Sequence, residues 1–220
     1  MIDLHTHTLL SDGVLLPSEL VRRAEVIGYK VLGITDHVDA SNIDYVLSRI
    51  VRVCRDLQPK VSIKLLPGLE LTHIPLTDFE DMVKYARKNG ARVVVAHGET
   101  IVEPVINGTN KAAIAAKVDI LAHPGLITEE DAALAASLGV SLEITARKGH
   151  CYGNGHVVQS ALKANAKLVL NTDTHSPENL ITIARAKQIA RGAGLSEDDI
   201  KGKLFSNMRD LADKLLNISA

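Results

Sequence analysis

Apolar residues recur along this chain in two alternating rhythms. Short, mostly apolar runs are followed by longer stretches in which apolar side chains return every three or four positions, the marks of strands and amphipathic helices. The runs fall at residues 2–7, 31–35, 62–71, 93–96, 119–122, 140–145 and 167–170. Residues 93–96 are all apolar, as in a parallel strand covered on both faces. Between the runs, residues 42–57 place Ile43, Val46, Leu47, Ile50 and Cys54 on one continuous stripe. Pro17 suits the first turn of a helix that Gly28 closes. Thr77 and Glu80 read as a capping box that opens a third helix, stopped by Gly90. A weak helix at 109–117, one between Thr128 and Gly139, and one near 155–165 follow. Ser176-Pro177, Ser196 and Ser206 mark the starts of three more.

Seven strand–helix alternations with short links imply a parallel sheet with right-handed crossovers. Seven units with helices outside imply a closed or nearly closed TIM-like α/β barrel, with the last helices packed at the C-terminal end. The pattern runs through residues 1–220 as one domain. No Gly-x-Gly-x-x-Gly or Walker-type loop interrupts it, so a nucleotide-binding open sheet is not indicated.

Composition narrows the partners. The net charge of −1 and the two Phe, four Tyr and absent Trp give neither a basic field nor a stacking platform, so no nucleic-acid partner is expected. Two cysteines make no disulfide framework; Cys54 reads as core. No apolar run is long enough to span a bilayer, and the chain enters its first strand without a leader, so a cytoplasmic protein is expected. Oligomeric state has no signal in the sequence.

The polar residues are placed unevenly. His5 and His7 are two apart on a strand and project to one side, where they can hold one ion. Ser11-Asp12-Gly13 is a tight turn that presents Asp12. His37, Glu70, His97 and His123 each stand at or near a strand end, and Asp173 and His175 repeat the two-apart spacing. A lone histidine is most simply a core or capping residue. Nine metal-capable side chains at the ends of six strands are not, because the C-terminal face of such a barrel is where active sites lie. Burying them unpaired would be costly. Nine ligands exceed one ion's needs and suit two or three, and six imidazoles favour zinc, manganese or iron.

Taken together, Asp3-Leu4-His5-Thr6-His7 through Ser11-Asp12-Gly13, Ile34 to His37, Gly68 to Glu70, His97, His123-Pro124-Gly125 and Thr172 to Ser176 resemble the PHP family, named for polymerase and histidinol phosphatase. The resemblance covers essentially the whole chain. It implies a distorted (β/α)7 barrel with a trinuclear site at the C-terminal ends of the strands. One ion would take His5, His7, Glu70 and Asp173; a second would share Glu70 and take His97 and His123; a third would take Asp12, His37 and His175. The amidohydrolases also begin with His-x-His, but they commonly bridge two metals with a lysine, where this chain offers Glu70.

Three divalent ions, three carboxylates and one bridging hydroxide leave a charge of about +2, which a phosphomonoester dianion neutralises. The reading is therefore a hydrolase of a small phosphorylated substrate, similar to histidinol phosphatase, in which a hydroxide bridging two metals attacks phosphorus. A nucleotide or oligonucleotide phosphoesterase, or an exonuclease, is the alternative, and a non-catalytic metal-stabilised interaction module is the second. Catalytic roles are expected for Asp12, Glu70, His175 and Arg147. Substrate contacts are expected from Arg147, whose planar fork suits phosphate, and from Lys148, His150, His73 and Glu143. Asp3 and Asp36 are expected behind the ligands. Cys151 and His156 are assigned to loop or helix start.

Overall fold

The computed structural model describes residues 1–217. Strands β1 (Ile2–Asp3), β2 (Val31–Ile34), β3 (His37–Val38), β4 (Lys64–Leu71), β5 (Val93–His97), β6 (Ile120–Ala122), β7 (Ser141–Thr145) and β8 (Leu168–Asn171) all pair in parallel. The order is β1-β2-β4-β5-β6-β7-β8, with β3 a continuation of the second strand along β4. Seven strand positions thus form a nearly closed barrel. The helices are α1 (Pro17–Ile27), α2 (Ile43–Leu57), α3 (Phe79–Lys88), α4 (Thr109–Ala115), α5 (Glu129–Leu138), α6 (Asn154–Ala164), α7 (Ile183–Gly192), α8 (Glu197–Asp199) and α9 (Phe205–Leu216). They surround the barrel, as the alternating pattern requires.

The seam between the first and last strands is short and backbone-bonded. Thr6 bridges Thr174 in parallel. His7 N donates to Thr174 O at 2.8 Å, and Asp173 N donates to His5 O at 3.0 Å. Each side of this seam carries two of the candidate ligands.

The core fills both sides of the sheet. The stripe on α2 is buried at Ile43, Val46, Leu47, Ile50 and Cys54, and all five residues of β5 are buried. Gly28 closes α1 at φ 97°, and Thr128 and Ser196 cap α5 and α8 through their hydroxyls. No helix among the described residues is long and apolar enough to cross a membrane.

Several sequence-based boundaries move. The first strand is two residues long, not six, because Leu4 N turns to the side chain of Asn171 at 2.8 Å instead of continuing the ladder. Thr77 and Glu80 form no capping box: Thr77 Oγ1 donates to Asp78, and a 3-10 turn, Leu76–Asp78, leads into α3. Ser176 and Asn179 do form a capping box, but around the 3-10 turn Pro177–Asn179; α7 starts later, capped by Thr182. The last helix begins at Phe205 after a π-helical turn, Ile200–Leu204.

Candidate metal centre

Every candidate ligand is delivered from the C-terminal rim. His5 and His7 follow β1, His37 opens β3, Glu70 lies in β4, His97 ends β5, and His123, Asp173 and His175 stand just beyond β6 and β8. His123 and Asp173 adopt positive φ, 30° and 52°. A non-glycine residue in that region costs about 1–3 kcal/mol and persists where the surroundings demand its direction. Asp12 comes from the turn after β1. The Asp36 carboxylate gathers that turn by accepting from Thr8 N at 2.8 Å, Ser11 N at 3.0 Å and Ser11 Oγ at 2.8 Å. Gly13 allows the turn to fold back: a Cβ there would lie 2.7 Å from His7 O. Asp36 and Asp3 therefore hold backbone and hydroxyl groups. Asp3 accepts from Thr172 Oγ1 at 2.6 Å, and burial lifts its carboxyl to about 7.

Four buried side chains meet first. His5 Nε2 lies 3.3 Å from Glu70 Oε2 and 3.9 Å from Asp173 Oδ1. His7 Nε2 lies 3.2 Å from Asp173 Oδ1 and 3.6 Å from Glu70 Oε2. Behind His5, its Nδ1 is 2.9 Å from Glu143 Oε2, which also accepts from Asn171 Nδ2 at 2.8 Å. Fully buried Glu143 therefore fixes the ring and its tautomer instead of facing substrate, which corrects its expected role. A second group combines His7, Asp12, His37 and His175. Asp12 Oδ1 is 3.1 Å from His175 Nε2 and 3.6 Å from His37 Nε2. His175 Nδ1 faces Asp173 O at 2.9 Å, and His37 Nδ1 faces Thr72 Oγ1 at 2.7 Å, which turns both Nε2 atoms toward Asp12.

His97 and His123 gather with His150, and His123 also groups with His5 and Asp173, its Nε2 lying 3.8 Å from Glu70 Oε1 and 3.7 Å from Asp173 Oδ2. Glu103, in the loop after β5, reaches His97, His150 and His73. Nothing periodic in the sequence singles it out; its one signal is an acidic side chain in a rim loop. Exposed His73, at φ 52°, lines the cavity over the centre, its ring 5.3 Å from that of His97 and its Nε2 3.5 Å from Glu103 Oε2.

Electrostatics show charges opposed to burial. Burial works against charge on His5, but Glu143, Glu70 and Asp173 outweigh it and hold the imidazole well above its usual range. Burial, then His37 and His5, push His7 well below it. Burial is likewise outweighed at Glu70, which His5 and His37 hold well below the usual carboxylate range, whereas burial lifts Asp173 to about 6.

Eight buried side-chain atoms here make no well-directed hydrogen bond: His5 Nε2, both nitrogens of His7, both oxygens of Glu70, His123 Nδ1, Glu143 Oε1 and Asp173 Oδ1, although Glu70 Oε2 lies 2.8 Å from His37 Nδ1. Leaving a buried polar group unsatisfied costs about 1–3 kcal/mol, and the ion-pair contacts among these side chains offset only part of that cost. Imidazole lone pairs and carboxylate oxygens crowded at 3.2–3.9 Å are the donor set that divalent cations satisfy. The residues therefore fit metal ions.

A cavity of about 350 Å³ opens over the centre, lined in part by Asp12, His37, Asp173, His175 and Arg147. Arg147 NH1 donates to Asn179 Oδ1 at 3.2 Å and also lines a second cavity of about 590 Å³. Exposed Lys148 lies on that second cavity and does not line the metal-facing one, so it is no direct neighbour of the centre. Cys151 lines the same second cavity, and His156 Nε2 donates to Ile127 O at 2.8 Å; neither joins the cluster.

The PHP domain matches residues 3–184. An uncharacterized protein of Methanocaldococcus jannaschii is 42% identical over 215 residues, which are 97% of this chain and 99% of that protein. A 5'-3' exoribonuclease of Haemophilus influenzae is 39% identical over 70 residues only, 32% of this chain and 23% of that protein. Among solved structures, a chain of archaeal ribonuclease P with mature tRNA superposes at TM-score 0.73 with 15% identity, covering 96% of this chain and 90% of the other. Histidinol phosphate phosphatase of Lactococcus lactis, complexed with zinc, L-histidinol and phosphate, superposes at TM-score 0.63 with 17% identity, covering 89% and 94%. Identities this low carry the fold alone. The match over most of the barrel, ending beyond the last clustered histidine, makes this chain a member of the PHP domain family.

Proposed function

We propose that the chain is a multinuclear metal-dependent hydrolase of a small phosphomonoester, with residues 1–217 acting as one catalytic domain. One observation carries the reading: eight buried nitrogen and oxygen atoms that make no well-directed hydrogen bond converge beneath a solvent-open cavity that also holds an arginine. His5, His7, Glu70 and Asp173 would hold one ion, and Asp12, His37 and His175 another. When bound, such ions lower the pKa of water from 15.7 to about 7 and screen the charge of a phosphoryl group.

The protein's own groups supply the rest. Arg147 lines both cavities, which supports a role for its guanidinium in binding phosphate oxygens. Asn179 Oδ1 steers it and also accepts from His175 N at 3.1 Å, which ties the phosphate clamp to the loop that carries His175. The larger cavity, with Lys148, Arg185 and Tyr152 on its lining, receives the leaving group. Its basic and aromatic lining also supports a second reading, a nucleotide or an oligonucleotide end as substrate, in line with the partial likeness to an exoribonuclease. The zinc and phosphate of the Lactococcus neighbour are in accord with the chemistry of the first.

Elemental analysis of purified protein, followed by a panel of phosphomonoesters and short oligonucleotides, tests the proposal. Two or more equivalents of zinc, manganese or iron and turnover of small phosphomonoesters are expected. Asp12→Ala, Glu70→Ala and His175→Ala should each abolish turnover with the circular dichroism spectrum unchanged. A preference for oligonucleotides rejects the first substrate class; metal-replete protein inactive on every phosphoester rejects hydrolysis in favour of an interaction module.

A further inference from the structure

The cavity of about 590 Å³ beside the metal-facing one shares Arg147 with it and contains none of the clustered histidines. Arg147, Lys148 and Arg185 line it against a single carboxylate, Glu178, which leaves a net charge of +2 in a chain whose total is −1. Glu178 is exposed and bonds its own backbone N–H and the Ser176 hydroxyl. Among the described residues none of the three cations is in an ion pair. Arg147 NH1 donates to Asn179 Oδ1 and Arg185 NH1 to Gln188 Oε1, each at 3.2 Å, and both acceptors are neutral amides.

Two segments deliver these charges. The turn after β7 is tied by Cys151 N to Arg147 O at 3.0 Å and by Tyr152 N to Gly149 O at 3.1 Å, with Gly149 at φ 90°. Lys148 stands exposed on that turn. Arg185 sits in the first turn of α7, where its N donates to the capping Thr182 Oγ1 at 3.3 Å. That turn holds no acidic residue, and a cation there opposes the helix macrodipole, so Arg185 does not serve the helix that carries it. With Ile189 and Ala193 it makes up the face of α7 that lines the cavity. Like charges gathered without a counter-charge repel one another, and an anionic ligand relieves that repulsion.

We propose that this cavity is a second anion subsite: the alcohol part of the substrate carries a phosphate or carboxylate of its own, bound by Lys148 and Arg185 while Arg147 meets the phosphoryl group. The planar fork of Arg185 suits two oxygens of either anion. Ile181 and Ile189 line the space left for the carbon skeleton between the two charges. Lys148, set apart from the metal cluster, is then a substrate contact at the far end of the ligand. The same charge selects against an alcohol that bears an ammonium group. The inference rests on the phosphomonoester reading of the neighbouring centre.

The test uses the full chain loaded with zinc. kcat/KM is measured for phosphomonoesters that differ only at the far carbon: propyl phosphate, 3-aminopropyl phosphate, 3-phosphooxypropanoate and propane-1,3-diyl bisphosphate, with longer homologues to cover other spans. Calorimetry compares the matching non-hydrolysable propylphosphonate and propane-1,3-diyl diphosphonate. A preference of about tenfold for a doubly anionic member is expected, as two partly exposed ion pairs supply, with the ammonium compound poorest. The carboxylate and phosphate members tell the two anion classes apart. Arg185→Ala should shrink the preference, and Lys148→Glu should abolish it and improve the relative use of 3-aminopropyl phosphate. Equal values across the charge series, or a preference that survives intact in both variants, overturn the proposal. Absence of turnover on every ester refutes the hydrolase reading instead, and the diphosphonate-to-phosphonate affinity ratio in wild type and Lys148→Glu still decides the subsite.

Discussion

Glu143→Gln isolates the part of the centre that orients a ligand without being one. The Glu143 carboxylate is fully buried, accepts from Asn171 Nδ2 at 2.8 Å and meets His5 Nδ1 at 2.9 Å. Glutamine keeps the volume and one acceptor oxygen, so Asn171 retains a partner. What is lost is the charge-assisted hydrogen bond to His5, worth about 1.5–3 kcal/mol. That corresponds to roughly 10–100-fold in affinity, the loss typical when a carboxylate behind a metal-bound imidazole is removed. The assay is competition between stripped protein and a chromophoric chelator, scored per equivalent. The position using His5 should weaken by that factor, whereas the Asp12 group, which does not contain His5, should hold its affinity. Uniform weakening of every equivalent, or none, refutes the reasoning that Glu143 acts through the His5 ring.

Stripping metal with a chelator should lower the midpoint of thermal unfolding, because bound ions at a hundred times their Kd add about 2.7 kcal/mol per site; an unchanged midpoint would mean that the orphaned atoms are satisfied in another way. Burial pushes the Cys54 thiol up to about 12, so it should resist a thiol reagent at pH 8 in the native state while half-buried Cys151 reacts; equal labelling rates would refute this. Ser62 N and Oγ, with Arg22, hold the Glu25 carboxyl at about 2, below its ordinary 4.5. A depressed folded-state pKa gives stability that is present above 4.5 and lost as pH falls toward 2. Glu25→Gln should therefore flatten the stability profile across that window, read by urea titration, and a parallel profile would refute it.

The barrel was legible because its strands are buried on both faces and its helices on one, so period alone separates them. Strand ends followed from the same runs, and with them His37, Glu70, His97, His123, Asp173 and His175. What period could not show is what depends on side-chain partners far away in sequence. Strand β1 stops after Asp3 because of Asn171, 167 residues from Leu4. Thr77 missed its capping role because Pro75 and the 3-10 turn set the entry to α3. Glu143 lies among apolar strand neighbours in a register that points inward, and only its distance to His5 distinguishes an orienting carboxylate from a substrate contact. Glu103 sits in a loop and His150 opens the 3-10 turn His150–Gly153, where no period fixes direction. Lys148 lies three residues beyond the end of β7, past the reach of strand alternation, and lines the neighbouring cavity.

The Thr6–Thr174 seam has a kinetic consequence. His5 and His7 precede the rest of the barrel in the chain, whereas Asp173 and His175 follow β8, the last strand among the described residues. A nascent chain therefore cannot assemble the His5–His7–Asp173 cage before translation of β8 is finished. Gathering of these side chains and closure of the ring become one late event, and any truncation before residue 173 leaves the cluster without its second pair of side chains.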